Sequence, residues 1–516
     1  MSLTRGVRVS ILAPCEKFHG HGREIFIPPM AKVTIDGAEV EVKDGLNVIE
    51  AAKAADIHVP HFCYHPSLTV VGQCRMCLVE VEGIPKLQAG CSTTVKDGMK
   101  IHVWNEKVDK ARRGQMEFLL INHPLDCPIC DKAGECPLQD YSFNYGTVES
   151  RYGEFKRTYP GMDRTAIGPH VVQNMNRCIH CTRCIRFCQE ITGTSELAFF
   201  KRGASTEVGV FAGTPLDNWM SACVADICPT GALTTREFRF ESRVWNLDST
   251  ESVCNGCDVG CNMFIGHRNG QVFRYRPREN PDVNDQWLCD YGRFSYERYD
   301  TDRVVVPKVR NEDDYLGIST WGEALDAIEK AFRSASKVAA IASANMTNEE
   351  ARVARSLFEG VGARVSLIVD PMSPPIRMKS STEWLSGTQA APNYRGVAAM
   401  FGENAIPSME GVDVLYICDS DFSRQAKDPD FIANLRKAKF LIVHSWDANH
   451  PLNEVADVVL PATIHVEKEG SFTNLQGRVQ EIHAAYPPKG QAIPDVEIFA
   501  RVASRVLAEE KVAAGA

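Results

Sequence analysis

Cys178-Ile-His-Cys181-Thr-Arg-Cys184-Ile-Arg-Phe-Cys188 is the most telling stretch of this chain. Thiols spaced by two residues are placed for one metal group better than for a structural disulfide. Further along, Cys228-Pro229 supplies a remote fourth thiol for Cys178, Cys181 and Cys184. Upstream stand Cys63, Cys74, Cys77 and Cys91, and then His123, Cys127, Cys130 and Cys136. Downstream stand Cys254, Cys257, Cys261 and Cys289. Four groups of four thus absorb fifteen of the nineteen cysteines and one histidine, a partition that chance does not produce.

The bulk composition sets bounds on this pattern. A chain of 516 residues is too long for one core, and 44% hydrophobic residues give several domains enough apolar surface to bury. The net charge of -9 argues against a nucleic-acid partner, whose phosphates favour a basic face. No apolar run approaches the roughly 18 residues of a membrane span. Without a signal peptide bearing a long apolar core, the many cysteines point to a reducing compartment. Residues 1-29 are mildly basic and precede a second methionine, Met30, where a strand-like pattern begins; they are expected to be an N-terminal extension.

Around Asp36-Gly37, residues 32-42 alternate apolar and polar, which predicts a hairpin; Asn47-Ala55 then reads as a short helix. Hairpin then helix suggests a β-grasp fold, with Gly72 and Gly83 letting the backbone close around a cluster held by Cys63, Cys74, Cys77 and Cys91. Four thiolates suit a 2Fe-2S centre, and zinc is the competing reading, although zinc sites usually pair two short C-x2-C units. Residues 106-122 predict a helix that delivers His123 ahead of Cys127-Pro-Ile-Cys130 and Cys136-Pro137. A neutral imidazole in place of a thiolate removes a negative charge and should raise a cluster's potential; a zinc knuckle of three cysteines and one histidine competes here too. The run from Cys178 to Cys188 is that of bacterial ferredoxins, whose fourth thiolate serves a second cluster. Only Cys223 precedes Cys228, so that second half is degenerate, and Cys188 and Cys223 read as free thiols in a vestigial pocket. The fourth set, with Gly256, Gly260 and Gly292 nearby, fits another 4Fe-4S centre.

Beyond residue 300, strand and helix signals alternate. Thr320-x2-Glu323 and Thr347-x2-Glu350 are capping boxes, and Trp321, Leu325, Ile328 and Phe332 recur at helical spacing. Val338-Ala342, Val365-Val369, Val412-Cys418 and Phe440-His444 are buried-strand candidates, so a parallel, doubly wound region is expected. No G-x-G-x-x-G or phosphate loop occurs there to suggest a nucleotide site.

With all four sets in view, Cys74-Arg-Met-Cys77-Leu-Val-Glu-Val, His123 through Asp140, and Asp226-Ile-Cys228-Pro-Thr-Gly-Ala-Leu233 resemble segments of one family. It is the large peripheral-arm iron-sulfur subunit of respiratory complex I, the G subunit of NADH-quinone oxidoreductase. Ala456-Asp-Val-Val-Leu-Pro-Ala462 and Glu467-Lys-Glu-Gly-Ser-Phe-Thr-Asn474 resemble molybdopterin oxidoreductases and their inactive relative within complex I. The resemblance implies one 2Fe-2S and three 4Fe-4S clusters on the sixteen residues above. It implies a relay from the NADH- and flavin-binding subunit to the Cys63 set, then the Cys178 set, then the His123 set, and out to a ferredoxin-like subunit toward quinone. The Cys254 set corresponds to a cluster off the main path. The expected location is the cytoplasmic face of a bacterial inner membrane, peripheral through the complex. The expected architecture is α+β and multidomain: a 2Fe-2S β-grasp ferredoxin at 30-108, a 4Fe-4S module with one histidine and three cysteines at 109-148, a 4Fe-4S ferredoxin-like module at 168-247, a 4Fe-4S module of molybdopterin-oxidoreductase type at 248-303, and a shortened molybdopterin-oxidoreductase-like α/β domain at 304-516.

Two other functions share this pattern. A related electron-transfer subunit of an NAD-linked hydrogenase or formate dehydrogenase complex would keep the relay without the quinone end. A catalytic formate dehydrogenase subunit would need its own molybdopterin and a metal-ligating cysteine in the C-terminal region, where the one cysteine, Cys418, falls inside a predicted buried strand. Formate dehydrogenases of that type usually carry a lysine two positions after the last cluster cysteine, whereas this chain has Tyr291, so no molybdopterin and no catalytic residue are expected.

Overall fold

The computed structural model describes residues 30-299, 302-368, 371-418 and 425-507. The expected extension at 1-29 lies outside them. Two compact units are distinguished among the described residues: one drawn from 30-59 and 77-108, the other from 60-76 and 109-507.

In the first unit, β1 (Met30–Ile35) and β2 (Ala38–Lys43) form the expected hairpin, with Asp36 and Gly37 both at positive φ. Asn47 caps α1 (Val48–Ala54), its side chain accepting from Glu50 N at 3.1 Å. β3 (Leu78–Val81), β4 (Gln88–Ala89) and β5 (Lys100–His102) complete a five-stranded sheet in the order β2-β1-β5-β3-β4. The first strand pairs parallel with the last, the crossed-over arrangement that defines a β-grasp. Val33, Ile35, Val79 and Ile101 alternate onto the buried face, with Val48 also buried.

The second unit begins with the loop 60-76. Its Phe62 and Met76 pack with Met116 of α2 (Glu106–Leu120) and with Leu138, Tyr141 and Tyr145 of α3 (Pro137–Tyr145). Pro137 at the first helical position starts α3 without wasting an amide donor. Next come α4 (Arg183–Arg186), continued by a π-type turn over Phe187–Thr192, and α5 (Cys223–Ile227). A three-stranded antiparallel sheet, Asp248–Val253, Asn262–Arg268 and Gln271–Pro277, then carries the Cys254 set at its loops.

The C-terminal part is built on a seven-stranded sheet. Five strands run parallel in the spatial order Val458–Pro461, Phe440–Ser445, Val414–Ile417, Val338–Ser343 and Arg364–Ile368. Both its faces are covered: Ala340 and Ala342 enter one core while Ala339 and Ile341 enter the other. The doubly wound expectation therefore holds, with an addition. Lys308–Arg310 pairs antiparallel with Val458 and Val459 and with Leu316–Ile318, extending the edge. Both capping boxes form, opening the helices Trp321–Ser334 and Asn348–Gly360. Cys418, buried, falls one residue beyond the strand Val414–Ile417 rather than inside it.

Candidate redox centres

Among the described residues, no three His, Cys, Asp or Glu side chains close on a point suited to a single ion. The cysteine sets instead border spaces. Cys178, Cys181, Cys184 and Cys228 all line one small cavity, together with Val208, Ala232 and Leu233. Burial pushes the Cys184 thiol well up, and Cys181, Cys178, Cys228 and Cys188 add to the shift. Burial also raises Cys178, and it holds Cys181 up at about 11. Bound cations would reverse this, because a coordinating thiol is deprotonated outright. The backbone turns left-handed at His180 and Thr182, on either side of Cys181, and His180 N donates to Cys178 Sγ at 3.3 Å. Amide donors to sulfur are one of the levers on a cluster's potential.

Cys254, Cys257, Cys261 and Cys289 are all buried. Burial raises Cys261, and Cys254, Cys257 and Cys289 contribute to the rise. Gly256 N donates to Cys254 Sγ and Gly292 N to Cys289 Sγ, each at 3.3 Å. A Cβ on Gly292 would stand 2.6 Å from Cys254 Sγ, and one on Gly387 would stand 2.9 Å from Cys257 Sγ. Only glycine leaves these sulfurs their room.

Cys130 and Cys136 are buried and Cys127 is exposed. Burial raises Cys130, with Cys127 adding to it, and holds Cys136 at about 11, with Cys130 adding to that. A Cβ on Gly231 would lie 2.2 Å from Cys130 Sγ. His123 Nδ1 is buried with no hydrogen-bond partner. Burial, then Lys156 and Arg177, bring the imidazole down to about 4, so at neutral pH it is uncharged and offers a lone pair. Its link to the thiols is indirect: Arg177 acts on both His123 and Cys130. A buried lone pair without a donor costs free energy unless something accepts it, and a metal would do so.

Of the first set, Cys63 and Cys74 belong to the second unit and Cys77 and Cys91 to the first. Cys63 N approaches Cys74 Sγ at 3.5 Å, and the Cys63 thiol together with burial raises Cys74. Arg75, at φ 56°, makes the tight turn that follows Cys74. In the other unit, Cys77 and Cys91 flank the β3-β4 ladder at its open end, away from the loop that joins the two strands, and Gly90 N donates to Cys77 O at 2.8 Å.

The sets of the second unit adjoin one another in an order. The loop of Cys63 meets α4 through Arg186, whose guanidinium donates to the carbonyls of Cys63 and Thr69. The Cys178 set meets the Cys130 set where Cys136 Sγ faces Pro229 O at 3.6 Å and Cys130 sits on Gly231. The Cys254 set adjoins the degenerate half instead: Asp290 accepts from Ser221 Oγ at 2.7 Å and from Ala222 N at 3.0 Å, next to Cys223. There Arg293 donates to Asp226 and approaches Cys223 Sγ at 3.6 Å, while Cys188, also fully buried, has Glu196 beside it. The steric demands at Gly231 and Gly387 escaped the sequence reading. The neighbouring motif Cys228-Pro-Thr-Gly231 gave a cue for the first, and nothing local marked the second.

Family models match five stretches of the chain. Residues 29-106 match a "2Fe-2S iron-sulfur cluster binding domain", and 112-151 match the "NADH-ubiquinone oxidoreductase-G iron-sulfur binding region". Residues 168-234 match the "NADH-quinone oxidoreductase subunit 3, ferredoxin-like domain", 247-297 the "NADH-ubiquinone oxidoreductase NDSU1/NuoG-like, 4Fe-4S domain", and 391-505 "Molybdopterin oxidoreductase". The G subunit of NADH-quinone oxidoreductase of Rickettsia felis is 43% identical over 336 residues, covering 65% of this chain and 50% of that protein. The NADH-ubiquinone oxidoreductase 75 kDa subunit of Reclinomonas americana is 44% identical over 301 residues, covering 58% and 43%. The G subunit of Streptomyces coelicolor is 41% identical over 364 residues, covering 69% and 42%. The chain thus spans about half the length, or less, of these curated relatives. A chain of an NAD+-reducing NiFe-hydrogenase crystal structure is 30% identical at a TM-score of 0.37, covering 42% of this chain and 91% of that one, and no argument rests on it. On its modules and these identities, the chain resembles the G subunit of NADH-quinone oxidoreductase over the residues matched.

Proposed function

We propose that this chain is an electron-relay subunit of an NADH:quinone oxidoreductase, carrying electrons from an NADH- and flavin-binding partner toward a ferredoxin-like partner on the quinone side. Cys63, Cys74, Cys77 and Cys91 hold a 2Fe-2S cluster. His123 with Cys127, Cys130 and Cys136, Cys178 with Cys181, Cys184 and Cys228, and Cys254 with Cys257, Cys261 and Cys289 hold one 4Fe-4S cluster each. Such clusters take up and release single electrons. The residues exclude water, fix the sulfurs and supply amide donors to them. The carrying observation is the succession of contacts, in which the Cys63 loop abuts α4 and the Cys228-Pro229 turn abuts Cys130 and Cys136. Cys127 is the one exposed thiol of its set, between exposed Leu125 and Ile129, and marks where electrons leave. The Cys254 set adjoins the Cys223 side, which suits a branch.

The C-terminal domain serves as scaffold and docking surface without molybdopterin. Tyr291, 47% exposed, stands where a bridging lysine would be needed, and its hydroxyl carries no positive charge. No helix among the described residues is long and apolar enough to cross a membrane, and attachment to the membrane is through the complex. Electron paramagnetic resonance of the anaerobically isolated, dithionite-reduced protein tests the relay. It should show one 2Fe-2S signal and distinct 4Fe-4S signals, whereas a protein silent in both states would refute it.

A further inference from the structure

We propose that Arg183 and Arg186 are the shared countercharges of two neighbouring centres, the Cys63 set and the Cys178 set, and that they raise the reduction potentials of both. This rests on the cluster reading above. Arg186 is 5% exposed. One of its nitrogens donates to the carbonyl of Cys63 and reaches that of Cys181 at 3.5 Å, so it joins a residue of each set. The other terminal nitrogen donates to Thr69 O, and Nε donates to Thr182 Oγ1 at 3.2 Å. Arg183 donates to Tyr64 O and, at 3.3 Å, to Ile227 O, next to Cys228; its Nε is buried without a partner.

None of these acceptors is a carboxylate. Arg177, Arg293 and Arg303, also buried, have Asp126, Asp226 and Glu467 respectively. A buried charge is retained when it is paired, and an unpaired one is costly. The groups available to pair with Arg183 are thiols: burial pulls its guanidinium down, and Cys181, Cys228, Cys63 and Cys74 act against that pull. His65, beside the same two arginines, is held at about 3 by burial and then by their charge, so it adds no third cation at neutral pH. Two permanent positive charges therefore lie between two anionic sulfur sets. Adding one electron to either set makes it more negative by one unit. The guanidinium keeps its proton, so the added charge is stabilised without proton transfer.

The test is a redox titration, followed by electron paramagnetic resonance, of the full chain with Arg183→Met, Arg186→Met and the corresponding lysine variants. In the titration each electron comes from dithionite. Each methionine variant should make reduction of both centres about tenfold less favourable, a fall of about 59 mV for one electron. The lysine variants should recover most of it, because a cation returns. The Cys254 set should not move. Unmoved midpoints with intact signals, or an equal fall at the Cys254 set, would overturn the proposal. If a methionine variant fails to assemble its clusters, the glutamine variant, which keeps donors for the carbonyls but no charge, decides by the same two outcomes. Wild-type protein without iron would instead sink the relay itself, which keeps the two failures apart.

Discussion

His123 is the residue whose role is most open to a direct substitution. Its Nδ1 is buried without a partner and its ring is neutral, so a ligand role accounts for an atom that packing alone leaves unsatisfied. His123→Cys is expected to keep that centre and lower its midpoint potential, because a thiolate adds a negative charge to the ligand set. A redox titration that finds the midpoint unmoved would remove His123 from the set. The candidate ligands could be proposed from the sequence because thiol spacing is local: two-residue gaps survive whatever the rest of the chain does. The arginine pair on α4 was not. That it pairs with no carboxylate among the described residues, and that it lies close to Cys63, are facts of tertiary structure, across more than a hundred positions.

Among the helices and strands, the hairpin at Asp36-Gly37, the helix after Asn47, both capping boxes and the parallel strands were readable, since turn chemistry and apolar runs act over a few residues. The antiparallel edge at Lys308–Arg310 was not, because three residues carry too little period to declare a strand. Nor was the approach of the Cys228-Pro-Thr-Gly231 turn to Cys130. That turn supplies a strong test of how the elements pack. With a Cβ only 2.2 Å from Cys130 Sγ, Gly231→Ala forces the sulfur or the turn to move. Overpacking of this kind costs about 1–3 kcal/mol. The expected result is selective loss of the signal from the His123 set, with roughly four irons fewer per chain and the Cys254 signal retained. An unchanged spectrum would mean that Cys130 has slack at this contact.

Across the full chain, one succession of modules matches the family of the G subunit, and it ends in a domain matched as molybdopterin oxidoreductase. The succession of the sets was visible in the cysteine order. Which sets touch was not, because Cys188 and Cys223 continue the ferredoxin pattern without completing it. Arg293 and Asp226 are packed against Cys223, and Glu196 lies beside Cys188. The relay depends on four sets, and no fifth, being filled with iron. Metal and acid-labile sulfide analysis of protein isolated anaerobically from its host decides this. About fourteen irons per chain are expected, by summing one 2Fe-2S and three 4Fe-4S clusters, without stoichiometric zinc or molybdenum; about eighteen irons would reinstate a cluster at Cys188 and Cys223, and zinc in place of iron would contradict the relay.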